Sequence, residues 1–330
     1  MLNFYKRIEE GAALLLALFI SAIVSIIGYG LFSLTMDTSN FEKKYLSDQQ
    51  AFLTVLSLES FSIDYLMPKH QRENITLATN RYDPFSPINV PLERGNAKAQ
   101  IDDLSDCFNI NILVETSPKE SSKIINQDYL KFFKNLLFSF SLSEEKISEI
   151  SSSIIDWIDH DNYPDYYDGG EDFYYLALKN PFISSNQHIQ DLTELRKVKG
   201  ITEEIYKKIS PYLCALPTSH NKININALSP LKPNLLMALT DNKFSEIEAV
   251  QFLENRPIGG YESVDNFFLD NLINLSITSK YIKELLNVES KYFNLKTEII
   301  FDEYTFIMNS RLWEKEEKMI VQSRKIGNYL

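Results

Sequence analysis

The hydrophobic pattern opens with an unbroken run: the 23 residues from Ala12 to Leu34 carry no charge. As an α-helix they would rise about 34 Å, enough to cross a hydrocarbon core. The run is too long for the apolar part of a secretory signal, and no small-x-small cleavage site follows it. Lys6 and Arg7 precede it, so the positive-inside rule keeps the short end in the cytoplasm and sends the remainder outward. The pattern then becomes one-sided. Between Leu31 and Met67 there is no Gly or Pro, and Phe41, Tyr45, Phe52, Leu56, Ile63 and Leu66 recur at helical spacing. Glu42, Lys43, Lys44, Asp48 and Gln49 fill the opposite face. This predicts one helix that starts in a membrane and ends docked on a soluble head.

Pro68, Pro84, Pro87 and Pro91 then predict loops and short strands. Ala99 to Leu113 alternates, with Ile101, Leu104, Phe108, Ile110 and Ile112 apolar, and predicts a pair of strands packed on the long helix. Helical spacing follows. Asp128–Phe140 and Ser143–Ile158 read as helices, the second started by a Ser cap and early acids. Asp191–Tyr212 and Ile223–Phe267 each read as a helix-hairpin-helix unit. Alternation returns at Phe293–Phe301, Tyr304–Trp313 and Lys318–Arg324, with a turn at Lys315-Glu316-Glu317. The expected fold is α+β: a long N-terminal helix, an antiparallel sheet, and a large all-α domain inserted between its strands.

Charge narrows the function classes. The 330 residues contain 33 Lys+Arg and 45 Asp+Glu, a net charge of −12, which opposes non-specific nucleic-acid binding. Hairpin units that bind DNA aim glycine-rich backbone amides at phosphate. Here the first hairpin has only Gly200, and the second, near Thr240 to Phe244, has no glycine. A membrane-anchored nucleic-acid-binding protein using these units is the alternative reading. Cys107 and Cys214 could pair in an exported protein, but two cysteines this far apart also fit two buried free thiols, the favoured expectation. No Ser-His-Asp arrangement, Cys-His pair or phosphate loop is present, and His70, His160, His188 and His220 are scattered. An enzyme is not expected.

The chemically densest stretch is Asp156 to Asp172, where seven of 17 residues are acidic and none is Lys or Arg. Such carboxylates repel unless a cation gathers them. Pro164 and Gly169-Gly170 could fold the loop so that Asp159, Asp161, Glu171 and Asp172 converge, and hard oxygen ligands suit Ca²⁺. The EF-hand spacing is absent, and zinc lacks ligands, since His160 is the single nitrogen donor nearby. A solvated acidic loop fits the composition as well.

These features resemble the type IV pilins and the pseudopilins of type II secretion, in which a prepilin peptidase cuts after a boundary glycine. Here that glycine is Gly11, leaving Ala12 as the new N-terminus. Most pilins carry glutamate at the fifth mature position, whereas this chain has Leu16, a departure typical of the minor pseudopilin K family. That family shows Asp-Trp-Ile-Asp-x-Asp and then Gly-Gly-Glu-Asp-x-Tyr-Tyr, matched at Asp156–Asp161 and Gly169–Tyr175. Asn186 and Glu194-Leu195-Arg196 continue the match. The Phe108–Leu113 run resembles the segment that opens the family's inserted domain.

The resemblance implies a minor pseudopilin at the tip of the pseudopilus, joined by minor pseudopilins I and J. It implies a single-pass inner-membrane anchor, a periplasmic head and bound calcium. Carried over residue by residue, the ligands would be Asp159, Asp161, Glu171 and Asp172, with Asp156 and Asp168 as ligands or supporting groups. The layout would be a leader at 1–11, the helix at 12–67, sheet segments at 68–117 and 288–330, and the α-domain at 118–287.

Overall fold

The computed structural model describes residues 2–67, 87–93, 95–115, 124–165, 168–216, 222–257, 259–275, 280–301 and 304–327. Helix α1 (Leu2–Tyr65) runs without interruption for 64 residues. Gly11 and Ala12 lie within it; their side chains are outside the described residues. Its portion from Leu14 onward is long and apolar enough to cross a membrane. Ala51, Val55, Leu58, Ser62 and Leu66 are buried, at spacings of three and four that put them on one face. Phe52, Leu56 and Ile63 pack beside them. Phe41 and Tyr45, expected on the same stripe, are exposed. The apolar periodicity thus extends further along α1 than the docked face does.

That face lies on a five-stranded antiparallel sheet ordered β1-β2-β9-β10-β11. Its strands are β1 (Ile88–Leu92), β2 (Gly95–Asp103), β9 (Tyr292–Phe301), β10 (Tyr304–Lys315) and β11 (Lys318–Ile326). Pro91 sits in β1 at the sheet edge, where a residue without an N–H is tolerated. On β9 the predicted alternation holds over the described side chains: Phe293, Leu295, Thr297 and Ile299 are all buried, and the three apolar ones contribute to the layer under α1; the Phe301 side chain lies outside the described residues. Glu316 and Glu317 both adopt positive φ (53° and 60°), the backbone of a two-residue hairpin turn.

A buried carboxylate bridges this layer. Glu59 on α1 is 3% exposed. Its Oε2 accepts from Ser310 Oγ at 2.6 Å and Arg324 Nε at 2.9 Å, and its Oε1 accepts from Arg324 Nη2 at 2.7 Å.

The sheet is split in sequence, since β2 pairs directly with β9. Between them the described chain forms helices α2 (Gln127–Ser139), α3 (Glu144–Ile158), α4 (Asp172–Leu176), α5 (Glu203–Ile209), α6 (Pro233–Leu239), α7 (Glu246–Glu254), α8 (Val264–Leu275) and α9 (Lys280–Leu285). Three two-stranded bridges accompany them: β3 (Phe108–Asn109) with β6 (Leu213–Cys214), β4 (Val114–Glu115) with β5 (Ile124–Ile125), and β7 (Ile223–Asn224) with β8 (Leu286–Asn287). Asn126 caps α2 and Ser143 caps α3 through their side chains.

Phe108–Leu113, expected as a second strand on the long helix, is not one. After the short β3 it turns into a 3-10 helix, Ile110–Leu113, buried in the helical core. The reason lies in the asparagines, which bond backbone instead of facing water. Asn111 Nδ2 donates to the carbonyls of Ile189 and Leu216, both at 2.9 Å, and its Oδ1 accepts from Ile189 N–H at 2.9 Å. The same arrangement recurs at the second Asn-x-Asn. Asn226 Nδ2 donates to the carbonyls of Tyr261 (3.0 Å) and Val288 (3.2 Å), and its Oδ1 accepts from Tyr261 N–H (2.8 Å). Each pair of asparagines follows or forms a parallel two-residue bridge, so the helical part is built from two latched halves.

The helical part is tied to the sheet where the chain leaves and rejoins it. Leu104 N–H donates to the Tyr292 carbonyl at 2.9 Å, and Ser290 hydrogen bonds to Asp103. Cys107 and Cys214 form a disulfide with Cα atoms 5.7 Å apart, buried with Leu216 and Tyr292. Arg311 on β10 donates to the Ala215 carbonyl at 2.9 Å, and Lys325 on β11 pairs with Asp191.

Candidate metal centre

Helix α3 ends at Ile158, and its last turn carries the first acids of the loop. Asp156 and Asp159 are fully buried, and Glu171 is 4% exposed. Burying three carboxylates together is unfavourable without a counter-charge. The loop returns through Asp165, whose N–H donates to Asp156 Oδ1 at 2.8 Å. It then passes Gly169, where a Cβ would lie 2.0 Å from Asp156 Oδ2. Only a residue without a side chain fits there. The fold-back expected from Gly169-Gly170 is therefore a steric requirement.

Two groups of carboxylates gather ligand oxygens within 4.8 Å: Asp156, Asp159 and Asp165, and Asp159, Asp161 and Glu171. Asp159 belongs to both. Of the residues singled out from sequence, Asp159, Asp161, Glu171 and Asp156 are brought together. Asp172 lies alongside, in the first turn of α4, and belongs to neither group. Its Oδ1 accepts from Ser184 N–H (2.8 Å) and lies 2.9 Å from Ser184 Oγ, which ties the 182–186 segment to α4. Asp168 is exposed and outside both groups; its carbonyl takes part in the loop closure described below. Asp165 was missed by sequence reasoning. Its signal was the preceding Pro164, which turns the chain back toward Asp156. Ser184 and Asn186 were missed as supports. Asn186, at φ +47°, donates to Asn162 Oδ1 at 2.8 Å and accepts from Ser184 Oγ at 2.6 Å, and its carbonyl meets His160 Nδ1 at 2.7 Å.

Glu171 tests whether this cluster suits a cation. It occupies the N-cap of α4 yet makes no capping bond. Its Oε2 lies 3.3 Å from Ser184 Oγ, while its Oε1 is buried and accepts no hydrogen bond from the described residues. Burial, and then the nearby charges of Asp156 and Asp159, push its carboxyl up to about 8. A buried carboxylate oxygen among other carboxylates is what a hard divalent cation satisfies, so the donor set fits calcium. Aromatic packing backs the site: Trp157 meets Tyr175 edge-on at 5.4 Å, and Phe182 stacks on Tyr175 at 5.0 Å.

The segment expected to form the first hairpin unit runs from a 3-10 helix (Leu192–Lys197) to α5. Its turn faces inward. Lys199 N–H donates to the Tyr175 hydroxyl at 3.2 Å, and a Cβ on Gly200 would come within 3.0 Å of the Glu149 carboxylate. A carboxylate thus borders the turn that would have to approach a phosphate. The second turn, between α6 and α7, uses positive φ at Asp241 and Asn242 instead of glycine. Neither turn favours nucleic acid. His70 and His220 lie outside the described residues.

Two family models described as type II secretion system protein K match residues 106–218 and 223–289, close to the two latched halves. The protein K of Pectobacterium carotovorum is 29% identical over 97% of both chains. A relative in Escherichia coli carrying the same protein K name is 33% identical over 72% of both. A chain in the crystal structure of the GspK-GspI-GspJ complex from enterotoxigenic Escherichia coli superposes with a TM-score of 0.72 at 27% identity. The match covers 87% of this chain and 99% of that one. A membrane-length helix docked on a split antiparallel sheet, with these matches, defines a minor pseudopilin of type II secretion. The chain belongs to the type II secretion system protein K family.

Proposed function

We propose that this minor pseudopilin sits at the tip of the pseudopilus with minor pseudopilins I and J, and helps initiate assembly for the export of folded proteins. The observation that carries the reading is the likeness to the chain solved together with GspI and GspJ. A prepilin peptidase would cut after Gly11. The apolar stretch would then anchor the mature chain in the inner membrane, with the head in the periplasm. Leu16 in place of an intramembrane carboxylate removes the need for a charge partner above it, which suits a subunit with no neighbour on top. Residues 118–287 act as an inserted α-domain containing hairpin units used for packing. The role is structural, not enzymatic.

The same domain holds calcium through Asp159, Asp161 and Glu171, with Asp156 and Asp165 completing the set. Asp172 and Asp168 serve at its margin. Calcium would supply positive charge that relieves carboxylate repulsion and would bind the loop ends together.

The assembly reading is tested by deleting the gene and reconstituting secretion: pseudopilus initiation should fail, and unchanged secretion would refute it. Intact mass and N-terminal sequencing of the membrane-extracted protein should give a chain beginning at Ala12. Thermal melting in calcium and in chelator tests the metal, because a ligand of the native state must raise the melting temperature. Equal curves would remove calcium from the reading.

A further inference from the structure

Lys199 is distant in sequence from the acidic stretch, but its ammonium reaches it. It donates to the carbonyl of Asp168 at 3.0 Å and to that of Gly169 at 2.9 Å. Its aliphatic stem passes so close to Gly170 that a Cβ there would lie 3.0 Å from Lys199 Cβ. The ammonium is also 5.0 Å from the centre of the Tyr174 ring, and the residue's own N–H is held by Tyr175. One side chain therefore spans the return of the loop, from Asp168 to the start of α4.

We propose that Lys199 is the positioning residue of the cation loop: it locks the Asp168–Gly170 return so that Glu171 is delivered to Asp159 and Asp161. The proposal rests on the calcium reading above. Gly169 and Gly170 are the two residues whose backbone is most expensive to order, because glycine has the most freedom to lose. Yet Gly169 must lie against Asp156, where a Cβ would come within 2.0 Å of Oδ2. Two bonds to successive carbonyls hold it there. A lysine near carboxylates could also oppose a cation by repulsion, and that effect has the opposite sign. The Lys199 bonds go to backbone carbonyls and not to the ligand carboxylates, so the proposal requires ordering to outweigh repulsion, and the sign of the change in affinity decides it.

The test uses the full-length chain in detergent: calorimetric titration with calcium chloride, and melting without calcium, for the wild type, Lys199→Met and Lys199→Arg. Lys199→Met should melt near the wild type in chelator but bind calcium about tenfold more weakly, the lower end of the range for groups supporting metal ligands. Lys199→Arg, which keeps donors for both carbonyls, should recover most of the affinity. Unchanged or tighter binding by Lys199→Met overturns the proposal. Should Lys199→Met fail to fold, Lys199→Gln is read in the same way. A wild type that takes up no calcium sinks the calcium reading and this role together. A wild type that binds while Lys199→Met matches it sinks only the role of Lys199.

Discussion

Glu59 is bonded to one residue on each of two strands, β10 and β11, so its carboxylate fixes both the height and the rotation of α1 on the sheet. Removing Glu59 leaves the buried Ser310 hydroxyl without its acceptor, whereas the half-exposed Arg324 can turn to water. Glu59→Ala should therefore lower stability by about 1–2 kcal/mol, read as a shift of the denaturant midpoint. A change within experimental scatter would mean that the Ser310 hydroxyl finds another acceptor at no penalty. No pattern in the sequence marked this residue, because one glutamate on an amphipathic helix reads as solvated. The acidic loop was legible for the opposite reason: seven carboxylates in 17 residues with no nearby base is an unusual composition. Gly169→Ala would force its methyl into Asp156 Oδ2, which the native contact places 2.0 Å from that carbon. The variant should lose the rise in melting temperature that the proposed calcium site would give the wild type. A full rise would show that the loop return is not needed for the ion.

At the level of elements, helices announced themselves best. Asn126 and Ser143 cap the two central helices within a residue or two of the expected starts, and β9 shows the expected alternation of buried residues. Phe108–Leu113 misled because alternating Ile and Asn is also the signature of a strand with one wet face. What decides is that both asparagines are buried and bond distant backbone, and partners 78 to 107 residues away cannot be read from local spacing. The β3–β6 bridge is stapled by the disulfide, which closes a loop of 107 residues in sequence. Replacing Cys107 and Cys214 together by alanine should reduce stability by about 3 kcal/mol. Denaturation of the double variant against the oxidised wild type measures it, and equal midpoints would reject a stabilising role for the bridge.

At the scale of the whole molecule, the helical part and the sheet meet through a few polar ties whose strength depends on pH. Burial pushes the Asp191 carboxyl up, but hydrogen bonds from Lys325 and from Thr193 outweigh it and hold the group at about 2, against an ordinary 3.8. A carboxyl with a depressed pKa in the folded state contributes stability above its unfolded pKa and loses it as pH falls through the folded one. The Asp191–Lys325 tie should thus weaken between pH 4 and pH 2, whereas Lys325→Met should show less of that loss in melting scans. Asp103, at the point where the chain leaves the sheet, moves the other way: burial pushes it up to about 6. Its folded form takes up a proton more readily, so it favours the folded state at low pH, and this contribution fades as pH rises from about 4 to 6. Parallel scans of the wild type and Lys325→Met separate the two, because only the Asp191 contribution depends on Lys325.

The sequence by itself determined the apolar helix, the order of sheet, helices and sheet, and the acidic loop with its two glycines, because each is written in the local composition or periodicity of adjacent residues. The tertiary structure alone decided which acids meet, that Cys107 pairs with Cys214, and that Asn111 and Asn226 latch equivalent halves. It also decided that Lys199 reaches the loop and that Glu59 meets Arg324. Lys199 and Gly169 lie 30 residues apart in sequence and Glu59 and Arg324 lie 265 apart, and spacing along a chain holds no information about contacts that exist only after the chain has folded.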